Sequence, residues 1–234
     1  MKQHARLIDF HTHILPGADH GSSGIHETVN QMRMIQTFGV DTLVATPHFY
    51  PNRHRIEPFL EKVDHAAALL KEQEIPFVSR LCLGAEILFC ENIDRMEGLE
   101  QLCIRGTDIL LLELPLDQWG MDVFETVDAL LNRYTVILAH IDRYLFQANR
   151  IQTLLDMGAL AQINAEALFS FGTRRKLSPF LDRDSVVALG SDLHNVEERN
   201  YLKFATADKH LGSLHGEIME RSAQLLQTAK NFLA

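Results

Sequence analysis

The chain has 234 residues, 46% of them hydrophobic and 23% charged, which suits one domain with a substantial core and gives no compositional sign of disorder. A formal charge of −9 with no basic stripe excludes a phosphate-backbone footprint, so nucleic acid is not expected as a partner. Cys82, Cys90 and Cys103 form no C-x-x-C pair and so provide neither a disulfide framework nor a thiolate metal site.

Residues 1–6 are charged and lead straight into an apolar run, without the apolar stretch of a signal peptide, and no run is long enough to span a bilayer. A cytoplasmic protein without a membrane span is expected. Residues 7–10 read as a first strand, followed by His11-Thr12-His13. A helix is expected over 25–38, where apolar residues return every three or four positions, with Ser22 or Ser23 as its cap and Glu27 in its first turn. Strand 42–45 leads to His48, helix 56–74 follows, and strand 77–84 leads to Glu86. Strand 108–114 contains Glu113, helix 121–133 follows it, and strand 135–139 ends against His140. Helix 150–157, strand 161–164 and strand 186–190 come next, then Asp192-Leu193-His194 and a helix over 195–211. Gly39 and Gly158 read as helix C-caps, and Gly84 and Gly190 as points where backbone passes close to a neighbour.

Strand and helix alternate throughout, which predicts a parallel sheet with helical crossovers. Seven such units in one α/β domain close most naturally into a distorted (β/α)7 barrel. In a parallel barrel the strand C-terminal ends converge on one mouth, and there the sequence places His11, His13, His48, Glu86, Glu113, His140, Asp192 and His194. Any one of these is more often an ordinary polar contact, but their joint placement is not. His-x-His in extended chain sets both imidazoles on one face, about two rises of 3.3 Å apart, and Asp192-x-His194 repeats that geometry. A nitrogen and oxygen donor set without thiolate suits Mn, Fe or Zn. His4, His54, His65, His210 and His215 read as solvated.

The residues His11-Thr12-His13-Ile14-Leu15-Pro16-Gly17, Thr46-Pro47-His48, Gly84-Ala85-Glu86, Leu112-Glu113-Leu114, Ala139-His140-Ile141-Asp142-Arg143, Gln162-Ile163-Asn164 and Ser191-Asp192-Leu193-His194 together form a pattern. It resembles the polymerase and histidinol phosphatase (PHP) superfamily, and within it the manganese-dependent protein-tyrosine phosphatases of bacterial capsule and exopolysaccharide loci. The resemblance covers almost the whole chain and implies a single PHP domain over 1–234 that holds three divalent ions, Mn with Fe or Zn as alternatives. By position, His11, His13, Glu86 and Asp192 would hold the first ion, and Glu86, Glu113 and His140 the second. His48 and His194 would hold the third, together with His20. The subfamily carries an aspartate before glycine where this chain reads Asp19-His20-Gly21, so Asp19 is the alternative there.

The resemblance also implies hydrolysis of phosphotyrosine by a metal-bridging hydroxide, with Arg143 as phosphate clamp. A metal-site histidine, His48 or His194, or else Asp142, would supply the leaving-group proton. Where the subfamily reads His-Pro-Glu-Arg, this chain reads His140-Ile141-Asp142-Arg143. Phe49, Tyr50 and Trp119 are candidate walls for a phosphotyrosine ring, with ordinary packing as the alternative. The implied substrate is a phosphotyrosine protein such as the tail of a bacterial tyrosine kinase. Histidinol phosphate and a catalytically silent regulatory domain are the two other readings.

Overall fold

Buried parallel strands read as short continuous runs of Leu, Ile and Val, and those runs become the strands of the protein. The computed structural model describes residues 7–73, 79–196 and 198–233. In chain order it contains β1 (Ile8–Thr12), α1 (Ile25–Thr37), β2 (Thr42–Ala45), β3 (His48–Phe49), α2 (Ile56–Lys71), β4 (Arg80–Leu83) and β5 (Glu86–Leu88). Then follow β6 (Ile109–Glu113), α3 (Met121–Leu131), β7 (Thr135–Leu138), α4 (Ala148–Asp156), β8 (Leu160–Asn164), α5 (Phe171–Leu181) and β9 (Val186–Gly190). Three helices finish the chain: α6 (Glu198–Ala205), α7 (Asp208–Leu211) and α8 (Ser213–Leu225).

Every strand pair is parallel, in the order β1-β2-β4 in one sheet and β3-β5-β6-β7-β8-β9 in the other. The segments β2 and β3 are one pass of the chain, interrupted at Thr46-Pro47, and β4 and β5 are one pass interrupted at Gly84-Ala85. Pro47 has no N–H for a ladder bond. At Gly84 a Cβ would come within 3.0 Å of Ile104 Cγ1. Backbone bonds cross the interruptions, from Thr46 N to Thr12 O at 2.9 Å and from Glu86 N to Pro47 O at 3.1 Å. The ring then closes between its first and last strands, where Asp192 N donates to His11 O and His13 N donates to Leu193 O, both at 2.9 Å. The result is the expected seven-pass barrel. Its distortion lies between β5 and β6, where two 3-10 turns, Ile93–Arg95 and Leu99–Leu102, take the place of a helix.

Apolar side chains of the strands and helices form a continuous buried cluster. At the strand C-terminal ends the burial turns polar, with His11, Thr12, His13, Thr46, Glu86, His140 and Gln162 all withdrawn from water. The residues after α8 pack against strands at the opposite end, where Phe232 N donates to Leu81 O and Lys230 N to Arg105 O. Among the described residues no helix is long and apolar enough to cross a membrane.

Several local expectations need correction. Neither Ser22 nor Ser23 caps α1: its N-cap is Gly24, and Ser23 instead donates its N–H and Oγ–H to Glu27 Oε2, at 2.8 and 2.6 Å. The helix expected over 195–211 is two helices, α6 and α7, and both α5 and α8 lie outside the helices expected from periodicity. His4, Glu74, Phe77 and Val78, which carried expectations, lie outside the described residues. Gly39 and Gly158 do follow α1 and α4 with φ of +72° and +113°, the left-handed conformation that ends a helix.

Candidate metal centre

His11 and His13 leave β1 in extended conformation and present both imidazoles to the mouth, their Nε2 atoms 3.0 Å apart. Each ring is oriented from its far side. Gln162 Oε1 accepts from His140 N at 2.7 Å, which fixes that atom as the oxygen, so the 3.2 Å contact to His11 Nδ1 requires the ring to donate. His13 Nδ1 donates to Asp19 Oδ2 at 2.7 Å. In neutral rings both Nε2 lone pairs would then face each other, an arrangement that is repulsive unless a cation, a proton or a metal ion, lies between them. Burial opposes charge on these rings, yet Glu86 and Asp192 around His11, and Asp19, Asp192 and Glu86 around His13, raise both above ordinary imidazole basicity. The pocket draws positive charge to this point.

Glu86 is the hub. Its Oε2 lies 3.2 Å from His11 Nε2, 3.3 Å from His13 Nε2 and 2.9 Å from His48 Nδ1, and its Oε1 lies 2.7 Å from His140 Nε2. Burial penalises its charge, but attraction and hydrogen bonds from His11, His13 and His140 outweigh that and hold the carboxyl well below its usual range. Glu113, at the end of β6, is raised by burial and by the Glu86 charge. Both Glu86 Oε2 and His48 Nδ1 are buried without a satisfactory hydrogen bond, which is costly in a protein interior and expected of atoms that ligate an ion.

Four sets of potential ligand atoms lie mutually within 4.8 Å: His11, His13 and Asp192; His11, Glu86 and His140; His48, Glu86 and Glu113; His13, His48 and His194. All eight candidates read from the strand ends are thus brought together. The sets overlap at His11, His13, His48 and Glu86, which fits several ions sharing bridging ligands. His194 donates from Nδ1 to Asp192 O at 2.9 Å, and burial with repulsion from His13 lowers it to about 4, so its ring is a neutral lone-pair donor. His20 is in none of the four sets. It stands exposed at the rim, its ring stacked 4.6 Å from His48 and tilted against His194 at 4.8 Å. Asp19, the alternative to it, is fully engaged otherwise: Oδ2 accepts from His13 Nδ1 and His48 N, and Oδ1 from Gly21 N.

Arg143 sits at the open edge, donating to Asp192 Oδ2 with Glu113 Oε1 3.7 Å away. Asp142 accepts from Asn164 N at 2.8 Å, and burial raises its carboxyl to about 6. Of the three aromatic walls, only Tyr50 faces the centre, stacked 5.3 Å from His48. Phe49 is buried edge-on against Phe59, and Trp119 is buried against Tyr144 with Nε1 donating to Pro115 O, so both belong to the core. His54 and His215 are half-buried and not solvated; His54 Nδ1 accepts from Tyr50 N.

Sequence reasoning passed over the residues that hold the ligands. Gln162 orients His11 and the His140 backbone, and Asn164 Nδ2 donates to Asp192 Oδ2 at 3.0 Å. Asp9, buried within β1, accepts from Ser191 N at 2.8 Å, tying the first strand to the turn that carries Asp192; burial raises it to about 6. Its position in an apolar strand was a visible signal, because a carboxylate there must be hydrogen-bonded.

A family model described as capsular polysaccharide synthesis, CpsB/CapC, matches residues 7–228. The chain belongs to that family. The tyrosine-protein phosphatase YwqE of Bacillus subtilis is 26% identical over 235 residues, 94% of this chain and 91% of that protein. The tyrosine-protein phosphatase CpsB of Streptococcus pneumoniae is 27% identical over 208 residues, 82% of this chain and 85% of that one. The fold is shared with a solved structure from work on YwqE and CpsB as metal-dependent tyrosine phosphatases, with a TM-score of 0.78, 23% identity and 96% of each chain covered. A β-aspartyl dipeptidase from Fervidobacterium islandicum shares it more loosely, at a TM-score of 0.56 and 14% identity over 97% of this chain and 74% of that one.

Proposed function

We propose that the chain is one PHP-type domain that hydrolyses phosphotyrosine in proteins of capsule or exopolysaccharide synthesis, using up to three divalent ions with Mn favoured. The observation that carries this reading is the pair of facing His11 and His13 lone pairs inside a ring of carboxylates, in a chain whose family relatives are named tyrosine-protein phosphatases.

When bound, the ions supply Lewis acidity and a water of lowered pKa. The chain's part is positional and electrostatic. By position, His11, His13, Glu86 and Asp192 would hold one ion, Glu86, Glu113 and His140 a second, and His48 and His194 a third with His20, whose ring stacks on His48; the nearest ligand atoms group His140 with His11 and Glu86, and Glu113 with His48 and Glu86. Arg143, bonded to Asp192 at the mouth, has the planar fork that suits two phosphate oxygens. His194 donates its Nδ1 proton to Asp192 O, which leaves Nε2 a lone pair without a proton to give and favours Asp142, beside Arg143, as the source of a leaving-group proton.

The test combines metal analysis with a substrate panel of para-nitrophenyl phosphate, phosphotyrosine peptides and histidinol phosphate. We expect at least two tightly bound ions, peptide turnover exceeding histidinol phosphate turnover, and loss of activity in His13→Ala and Asp192→Ala. Retained turnover in either variant overturns the metal mechanism. Preference for histidinol phosphate overturns the substrate.

A further inference from the structure

Seven large apolar side chains are exposed among the described residues. Phe169, Phe171, Val196 and Leu202 stand open to solvent on the segments that follow β8 and β9. Leu116, Met121 and Phe146, on the segments that follow β6 and β7, complete the large apolar side chains exposed among the described residues. Of the seven, Phe169 lines the cavity that reaches the metal centre, Phe171 begins α5 two residues later, and Leu202 is next to Lys203 of the same lining. Apolar surface collected in this way marks an interaction site more often than chance exposure does.

A cavity of about 840 Å³ links this rim to the centre, with Arg143, Asp192 and His194 at one side and Phe169, Thr173 and Lys203 at the other. That volume lies in the range of roughly 300–1,000 Å³ that encloses a whole ligand, more than a phosphorylated ring needs. The helix that begins at Phe171 is also cationic in an otherwise acidic chain: Arg174, Arg175 and Lys176 lie in it with no acidic residue, and the Arg174 guanidinium lies 5.9 Å from the Phe171 ring centroid, whereas Lys203 is paired with Glu166.

We infer that the rim formed by Phe169, Phe171 and Leu202 docks the polypeptide that flanks the phosphotyrosine, an acidic segment with an apolar residue close to the modified tyrosine. The phosphate lies against Arg143, and the apolar neighbour lies on the two phenylalanines. This rests on the protein-tyrosine phosphatase reading and specifies which peptides it favours.

Steady-state kinetics on two acidic phosphotyrosine peptides, identical except for Leu or Ser beside the tyrosine, test it against para-nitrophenyl phosphate. In F171S/L202S, the ratio of kcat/KM for the Leu peptide to that for para-nitrophenyl phosphate should fall about tenfold, mainly through KM. The Ser peptide should already show that loss with the wild type and lose little more with the variant. Phe171 is 73% exposed, so F171S alone, with a smaller effect of the same sign, covers any failure of the double variant to fold. Peptide turnover with an unchanged ratio overturns the docking surface and leaves the phosphatase reading intact. Hydrolysis of para-nitrophenyl phosphate without hydrolysis of any phosphopeptide overturns both. A dimer that dissociates in F171S/L202S, with the ratio unchanged, assigns the rim to a second copy and overturns the inference.

Discussion

At the scale of single residues, the ligand candidates and their supports were unequally visible. His11, His13, His48, Glu86, Glu113, His140, Asp192 and His194 could be read because each stands at the end of an apolar run, where a polar side chain has few structural uses. Gln162 could not, since its role depends on which strands neighbour it: it lies in β8, between β7 and β9, and reaches both His11 and His140. Its function makes a sharp prediction. Gln162→Leu keeps every candidate ligand but removes the acceptor that fixes the His11 tautomer and leaves His140 N unpaired. Metal affinity should fall by about 10–100-fold, read by competition against a calibrated chelator, as is typical when a group that orients a metal-bound histidine is lost. Unchanged affinity would mean that His11 needs no orientation or is not a ligand.

At the scale of elements, the seven strand passes were legible because buried parallel strands have one signature, a short aliphatic run. The interruptions at Pro47 and Gly84, and helix α5 with Pro179 inside it and Arg174-Arg175-Lys176 diluting its apolar period, were not. Nor was the backbone at the mouth. Of the three non-glycine residues with positive φ among those described, His140 at +33° and Asp192 at +54° are both candidate ligands two residues beyond a strand, where strain turns the side chain into the centre. The same crowding shows at the end of β9, where a Cβ on Gly190 would lie 2.6 Å from His11 Cβ and 2.7 Å from Gln162 Nε2. Gly190→Ala should therefore push β9 from β1 across the closing seam. The expected cost is about 1–3 kcal/mol in denaturant unfolding, typical of overpacking, with weakened metal binding in the same variant. A stable variant with full metal affinity would show that the seam can yield.

At the scale of the whole molecule, the candidate ligands run from residue 11 to residue 194 and come from six of the seven passes, with β8 supplying Gln162 and Asn164 instead. A cation bound there ties together chain segments that are far apart in the unfolded state, and the unfolded chain offers no such cluster, so binding stabilises the folded state alone. It also relieves the crowding of Glu86 against Glu113, whose carboxyl is raised by burial and then by the Glu86 charge. At a metal concentration of 100 Kd the gain is about 2.7 kcal/mol for one site. For a chain of this size that corresponds to a rise in Tm of roughly 5–10 °C relative to protein stripped with a chelator. The rise should saturate with added Mn and coincide with the return of phosphatase activity. His13→Ala separates this from nonspecific ion effects: it removes one member of two of the four ligand sets, so its Tm should respond far less to metal than that of the wild type. An equal response in the variant would place the stabilising ion elsewhere on the protein and detach the barrel's closure from its chemistry.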